Sequence, residues 1–135
     1  MRLKQVVIYA DGASRGNPGP AAIGATIKDK RGRLITFISQ RIGRTTNNQA
    51  EYRAIIAALE EAIRLGAKQV DIKTDSELIV KQINGEYRVK KATLKPLYQQ
   101  VKQLQGLLDG LTITHILRQQ NIEADKLANK ALDID

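Results

Sequence analysis

Short apolar runs separated by polar turns predict a chain that alternates between strands and helices. Val6–Ala10 is a compact apolar run before a glycine-rich segment, which is typical of a buried strand. From Gln49 to Leu65 apolar residues recur every three or four positions, which predicts an amphipathic helix that stops at Gly66. The predicted strands are 4–10, 21–28, 33–41, 70–74 and 111–117, and the predicted helices are 49–65, 76–83, 94–108 (capped by Thr93) and 122–132.

This order of elements predicts an α/β fold with a five-stranded mixed sheet and helices on both faces. A short hairpin turn, 29–32, joins the second and third strands, and we expect the first three strands to form an antiparallel meander. The first and fourth strands are joined through a helix, so we expect them to be parallel. Asp11 and Asp75 each follow one of these two strands. Their carboxylates should therefore lie at one sheet edge, where α/β sheets bind ligands.

Length and composition favour one globular domain, residues 1–135. The chain is 42% apolar, and no apolar run approaches the roughly 18–20 residues of a membrane helix. No signal peptide is recognisable before the first strand. The absence of cysteine excludes disulfides and thiolate metal sites and is compatible with the cytoplasm. We expect a cytoplasmic protein without membrane attachment, and nothing in the sequence demands more than a monomer.

The net charge of +8 suggests a polyanionic partner, with nucleic acid first and an anionic membrane second. The alternative is that the charge only keeps the protein soluble. A local excess favours the first interpretation, because Glu86 is the single acid between Lys81 and Lys102. The basic residues of this stretch are Lys81, Arg88, Lys90, Lys91, Lys95 and Lys102.

Four carboxylates are candidates for chemistry, although each has a structural alternative. Asp11 precedes Gly12, an ordinary turn signal. Asp75 could cap the short helix that follows it. Glu51 and Asp125 could stabilise their helices, because a negative charge near a helix N-terminus interacts favourably with the helix dipole. If the four converge, their repulsion is costly unless a cation holds them together. Oxygen ligands without cysteine indicate Mg²⁺ or Mn²⁺, and a basic domain with an acidic metal centre is the layout of a two-metal nuclease.

Four stretches then carry a resemblance to type 1 ribonuclease H, in the family's order and over nearly the whole chain. They are Tyr9–Gly19, Thr46–Glu51, Lys73–Ser76 and Asn121–Ala128. The resemblance implies a ribonuclease H-like fold and hydrolysis of the RNA strand of RNA–DNA hybrids, giving 5′-phosphate and 3′-hydroxyl ends. It implies two Mg²⁺ ions, with Mn²⁺ as a possible substitute, held by Asp11, Glu51, Asp75 and Asp125.

The same resemblance implies a set of substrate-binding residues. Asn17, Asn47 and Asn48 match readers of RNA, which is distinguished from DNA by its 2′-hydroxyls. Gly12 and Ser14 would lie against the RNA backbone. The glycines of Asp11–Pro20 have no side chain and would leave space for that backbone. The remaining expected contacts are Arg44 and Thr46 on a phosphate of the DNA strand, and Ser76 and Asn121 within the third and fourth motifs.

Two regions depart from the family pattern. His115 can match the family's loop histidine by its spacing from Asp125, but it lies within a strand pattern. It is therefore either a strand-face residue or an aid to proton transfer or product release, and Arg118 could supply part of the missing positive charge. The segment 85–93 is shorter than the tryptophan- and lysine-rich protrusion of some relatives, and Tyr87 with its basic neighbours could do a reduced version of that task.

Two alternatives to hybrid cleavage stay open. The first is a nuclease that also acts on double-stranded RNA. The second is a non-catalytic nucleic-acid-binding module of the same fold. Degenerate copies usually lose carboxylates, and all four are present here.

Overall fold

The computed structural model describes residues 4–133. Five strands and four α-helices follow one another in the order predicted from the sequence. They are β1 (Gln5–Ser14), β2 (Gly19–Lys28), β3 (Leu34–Thr45), α1 (Asn47–Arg64), β4 (Gln69–Thr74), α2 (Glu77–Ile83), α3 (Lys95–Gln105), β5 (Gly110–His115) and α4 (Ile122–Asp133), with a 3₁₀ turn at Arg118–Gln120.

The sheet has the strand order β3-β2-β1-β4-β5. Strands β1, β2 and β3 pair antiparallel, whereas β4 is parallel to both β1 and β5. The expected mixed sheet is therefore confirmed. It brings the carboxyl ends of β1, β4 and β5 to one edge, which is where Asp75 follows β4.

Helices cover both faces of the sheet, as predicted. One face carries the main core, in which Ile8 of β1 and Ile55 and Leu59 of α1 are completely buried. On the other face α4 packs across β1, β2 and β3. A small cluster of Ala22 and Leu132 forms part of that second interface. Among residues 4–133 we find no helix that is both long enough and apolar enough to span a bilayer.

The strands run further than the sequence pattern predicted. β1 continues through Asp11 to Ser14 because this segment pairs with β2, although its pairing with β4 ends at Tyr9. The predicted end of the first strand at residue 10 is therefore wrong. β3 similarly runs to Thr45, with an irregularity opposite Ala21 and Ala22.

Two helix caps also differ from the prediction. α3 begins at Lys95 after Leu94, which makes no side-chain cap bond, so Thr93 is not the cap. Asp75 was a candidate cap for α2, but the cap is Ser76, whose side chain accepts a hydrogen bond from the Ile79 N–H. The capping explanation for Asp75 is thereby removed.

Candidate active site

Three carboxylates meet at the carboxyl edge of the central strands. Asp11 lies in β1, Asp75 follows β4, and Glu51 reaches the same point from α1. Each offers one oxygen, and these three oxygens lie within 4.8 Å of one another. Asp125 of α4 is outside this triad but lines the same open cleft, which has a volume of about 430 Å³. The cleft therefore has room for more than a bare ion.

The helix-dipole explanation fails for Glu51. α1 begins at Asn47 behind the cap Thr46, and its first turn contains no acid. Glu51 is instead almost fully buried, with 8% of its surface exposed. Its Oε1 accepts a hydrogen bond of 2.5 Å from the Asn47 side-chain amide. Asp125 does lie in the first turn of α4, so a dipole contribution remains compatible with its position.

Burial and mutual repulsion make this cluster unfavourable as a set of bare anions. Burial is the main cause that raises the pKa of Asp11 to about 8, and Asp75, Asp125 and Glu51 raise it further. Burial likewise raises the pKa of Glu51 to about 7, although a hydrogen bond from Ser76 opposes the shift. None of the ion pairs found among residues 4–133 brings a lysine or arginine to these four carboxylates.

The donor set fits a hard divalent cation. Carboxylate oxygens are the ligands that Mg²⁺ and Mn²⁺ prefer, and the cation would remove the repulsion that a basic side chain does not remove here. Neutral amides, rather than cations, orient the acids. Asn121 donates to Asp75, and Asn129 donates to Asp125 at 3.1 Å. An amide fixes an oxygen without cancelling the carboxylate charge, so the charge stays available to a metal.

The cleft contains most of the predicted site residues. Besides the four carboxylates, it is lined by Gly12, Ser14, Asn47, Ser76 and Arg118. Two further lining residues, Ala13 and Asn129, escaped sequence reasoning. The signal for Asn129 was present, because it follows Asp125 by four positions and therefore lies on the same helix face.

Other predicted residues lie beside the cleft or away from it. The Asn17 side chain accepts a hydrogen bond of 3.0 Å from the Asn47 N–H, which ties the β1–β2 loop to the start of α1. Arg44 is exposed near the end of β3, and Thr46 is occupied as the cap of α1. Asn48 is half-buried in the first turn of α1.

His115 and Arg118 differ in their position relative to the cleft. His115 is the last residue of β5, is exposed, and is absent from the cleft lining. Arg118 follows in the 3₁₀ turn and does line the cleft. The geometry thus favours the strand-face interpretation of His115, and Arg118 is the one of the two residues that lines the cleft.

Asn121 requires a correction. Only 1% of its surface is exposed, and its amide donates to the Ala10 carbonyl and to Asp75. A side chain so deeply buried does not present its polar atoms to a nucleic acid. The expectation that Asn121 binds substrate is wrong, because its place at the start of α4 turns it into the protein.

The glycines of the Asp11–Pro20 segment are also explained within the protein. A Cβ on Gly12 would lie 2.2 Å from the carbonyl carbon of Ala50, so the backbone of α1 occupies that space. Gly16 has a φ of +107°, and a Cβ on Gly19 would lie 2.2 Å from the Arg15 carbonyl oxygen. Clearance for a nucleic-acid backbone is therefore not what these glycines provide, although Gly12 still lines the cleft.

Gly12→Ala is expected to destabilise the protein by about 3 kcal/mol or more, because backbone atoms cannot yield as side chains do. Thermal unfolding would measure the loss. Gly110→Ala is the matched control, since a Cβ there would meet only the Gln69 side chain at an ordinary 3.8 Å. Equal melting temperatures for wild type and Gly12→Ala would contradict the close approach of β1 and α1.

Part of the basic stretch is used inside the protein. Lys81 pairs with Glu77 and lies over the ring of Tyr87, and Lys102 donates to the Ile83 carbonyl. The other basic side chains of the stretch are exposed, and with Tyr87 they form the exposed basic segment, defined as Tyr87–Lys95. Its basic members are Arg88, Lys90, Lys91 and Lys95.

Comparison with known proteins agrees with this site. A family model described as reverse transcriptase-like matches residues 9–131. The structure of RNase H1 from the archaeon Halobacterium salinarum is 43% identical, with a TM-score of 0.94 and coverage of 96% of this chain and 98% of that one. LC11-RNase H1, solved in complex with RNA/DNA hybrid, is 44% identical, with a TM-score of 0.91 and coverage of 95% and 96%.

Some curated relatives are longer than this chain. A bifunctional protein of Mycobacterium tuberculosis is 43% identical over 96% of this chain, which spans only 36% of that relative. The chain also spans 65% of the ribonuclease HI of Halobacterium salinarum. The chain therefore belongs to the reverse transcriptase-like family, and its domain is of the ribonuclease H type.

Proposed function

We propose that this chain is a metal-dependent endonuclease that hydrolyses the RNA strand of RNA–DNA hybrids. The observation that carries the proposal is the convergence of Asp11, Glu51 and Asp75, with Asp125 in the same cleft and no ion pair to these acids found among the described residues. The fold supports it, because a neighbour at 44% identity was solved with an RNA/DNA hybrid. We take residues 1–135 as one catalytic domain.

Hydrolysis adds water to the scissile phosphorus and breaks the bond to the 3′ oxygen, so the products carry 5′-phosphate and 3′-hydroxyl ends. Two Mg²⁺ ions, or Mn²⁺ in their place, would supply activation of water and charge stabilisation at the leaving oxygen. Asp11, Glu51, Asp75 and Asp125 would hold them. Arg118, on the cleft wall, brings the positive charge that would face a scissile phosphate.

Selection of RNA would come from the groups around the cleft. A hydrogen bond between Asn17 and Asn47 joins the β1–β2 loop to the start of α1. Together with Asn48, these two asparagines would recognise the 2′-hydroxyls of a bound RNA strand. Ser14, Ser76 and the Gly12 backbone are on the cleft wall, suited to the RNA backbone. Exposed Arg44, beside Thr46, is suited to a phosphate of the DNA strand.

Cleavage assays with three duplexes test this function. End-labelled RNA–DNA hybrid, RNA duplex and DNA duplex are incubated with the protein in Mg²⁺ or Mn²⁺. We expect only the RNA strand of the hybrid to be cut. Equal rates on RNA duplex would change the substrate class, and binding without cleavage of any duplex would indicate a non-catalytic module.

The exposed basic segment should contribute to affinity through phosphates. Replacing Lys90 and Lys91 together by glutamine is expected to weaken hybrid binding and to lower the slope of log affinity against log salt by about 2, one for each lysine that no longer neutralises a phosphate. Fluorescence anisotropy across a salt series measures the slope. Glutamine at Lys30 and Arg31, in the β2–β3 turn at the other end of the sheet, is the control. Identical slopes for both double variants would exclude the segment from the interface.

A further inference from the structure

Asn121 is a buried link between three elements that build the site. It stands just before α4, and its side-chain amide donates 3.0 Å to the carbonyl oxygen of Ala10 in β1. The same nitrogen donates 3.3 Å to Oδ1 of Asp75, which follows β4. Because Ala10 directly precedes Asp11, this one amide touches both strands that carry central carboxylates.

The orientation of the Asn121 side chain is fixed by its partners. The Ala10 carbonyl and the Asp75 carboxylate are both acceptors, so the NH₂ group must face them. The Oδ1 atom is then left buried without a donor among the described residues. A buried unsatisfied polar atom costs about 1–3 kcal/mol, so stability alone does not explain this residue.

Like two of its neighbours, Asp75 is oriented by one side-chain amide. Glu51 receives a hydrogen bond from Asn47, and Asp125 receives one from Asn129. In the described part of the chain, Asn121 is the side chain found donating to Asp75. Removal of that donor would leave Asp75 free to rotate at the end of its strand.

We propose that Asn121 is a positioning residue that holds one oxygen of Asp75 and leaves the carboxylate charged for a divalent cation. The inference rests on the proposed function of the acidic site. Removal of a group that hydrogen-bonds to a metal ligand typically lowers metal affinity or activity by about 10–100-fold. Asn121 acts through Asp75 and does not touch the nucleic acid.

The test compares wild type with Asn121→Leu, which keeps the volume and removes the donor. Calorimetric titration of the metal-free proteins with Mn²⁺ alone should show about tenfold weaker binding in the variant. With saturating hybrid and limiting Mg²⁺, kcat should fall by a similar factor, whereas KM for hybrid should stay within about twofold because the variant keeps every group that faces the substrate. The melting temperature should change little, because the unsatisfied oxygen leaves together with the donor.

Thr26→Val is the matched control, since Thr26 is also buried in the sheet with an unpartnered side-chain oxygen. It should leave Mn²⁺ affinity and kcat unchanged. If Asn121→Leu does not fold, Asn121→Ser replaces it, because its short hydroxyl cannot span both partners.

Wild-type Mn²⁺ affinity in a folded Asn121 variant would overturn the positioning role, as would an equal loss of affinity in Thr26→Val. Failure of the wild-type protein to cut hybrid would instead overturn the proposed function. The Mn²⁺ titration would still decide the role of Asn121, so the two failures are distinguishable.

Discussion

Asp75→Asn is expected to lower the rate of hybrid cleavage by at least about 1,000-fold. Metal-assisted charge stabilisation is worth several kcal/mol, and each 1.36 kcal/mol is about tenfold in rate. Asparagine has the same shape, and its oxygen can still accept the hydrogen bond from Asn121. The fold should therefore survive while one negative charge is lost from the metal cluster. Single-turnover cleavage of labelled hybrid in Mg²⁺ measures the effect.

Two controls separate catalysis from binding in this experiment. Hybrid affinity of Asp75→Asn, measured without divalent cations, should be equal to or slightly better than that of wild type, because a negative charge facing phosphates is removed. Asp71→Asn changes an acid within β4, the strand that Asp75 follows, and Asp71 contacts Lys73 and Thr112 away from the cleft. It should cleave at the wild-type rate. Full activity of Asp75→Asn would remove Asp75 from the metal site.

Asp11→Asn is expected to stabilise the metal-free protein while it abolishes cleavage. The pKa of Asp11 is raised from 3.8 to about 8, so the folded state holds a proton that the unfolded chain releases near pH 4. A raised carboxyl pKa means that wild-type stability is present at low pH and is lost as pH rises from about 4 to about 8. Asparagine cannot ionise and removes this loss. At pH 8.5 in chelator we expect a gain of several kcal/mol, because each pKa unit is worth about 1.4 kcal/mol.

Thermal unfolding at pH 5 and pH 8.5 in chelator tests the stability change. The difference between Asp11→Asn and wild type should be small at pH 5 and large at pH 8.5. Added Mg²⁺ should raise the melting temperature of wild type at pH 8.5 more than that of the variant, since a ligand stabilises the state that binds it. Asp109→Asn, at an exposed loop acid before β5, is the control. A variant less stable than wild type at pH 8.5 would contradict the account of repulsion.

The sequence predicted the element order and the four acids because both depend on local patterns. Apolar alternation indicated the strands, and the topology rule for parallel strands placed Asp11 and Asp75 at one edge. Strand ends were predicted less well. The extension of β1 to Ser14 depends on pairing with β2, which cannot be predicted from the local sequence pattern. The same holds for the end of β3.

The roles of glycine and asparagine near the site needed three-dimensional contacts. Gly12 looked like clearance for a ligand, but the occupied space belongs to α1, which is 38 positions along the chain at Ala50. Asn121 was correctly placed in the fourth motif but was predicted to bind substrate. Its hydrogen-bond partners, in β1 and after β4, could not be read from the sequence. Asn129 was missed because it lies outside the most recognisable part of its motif. Long-range contacts decided the roles of Gly12 and Asn121, whereas the relation of Asn129 to Asp125 is local.

The most direct test of the central claim is cleavage of an RNA–DNA hybrid by the wild-type protein, with Asp75→Asn as the blank. The assay uses hybrid labelled on the RNA strand, with Mg²⁺ added or chelated, and identifies the product ends. We predict internal cuts in the RNA strand that require Mg²⁺, leave 5′-phosphate and 3′-hydroxyl ends, and vanish in Asp75→Asn. Intact RNA in the presence of Mg²⁺ and Mn²⁺, or equal cleavage in chelator or by Asp75→Asn, would contradict the account.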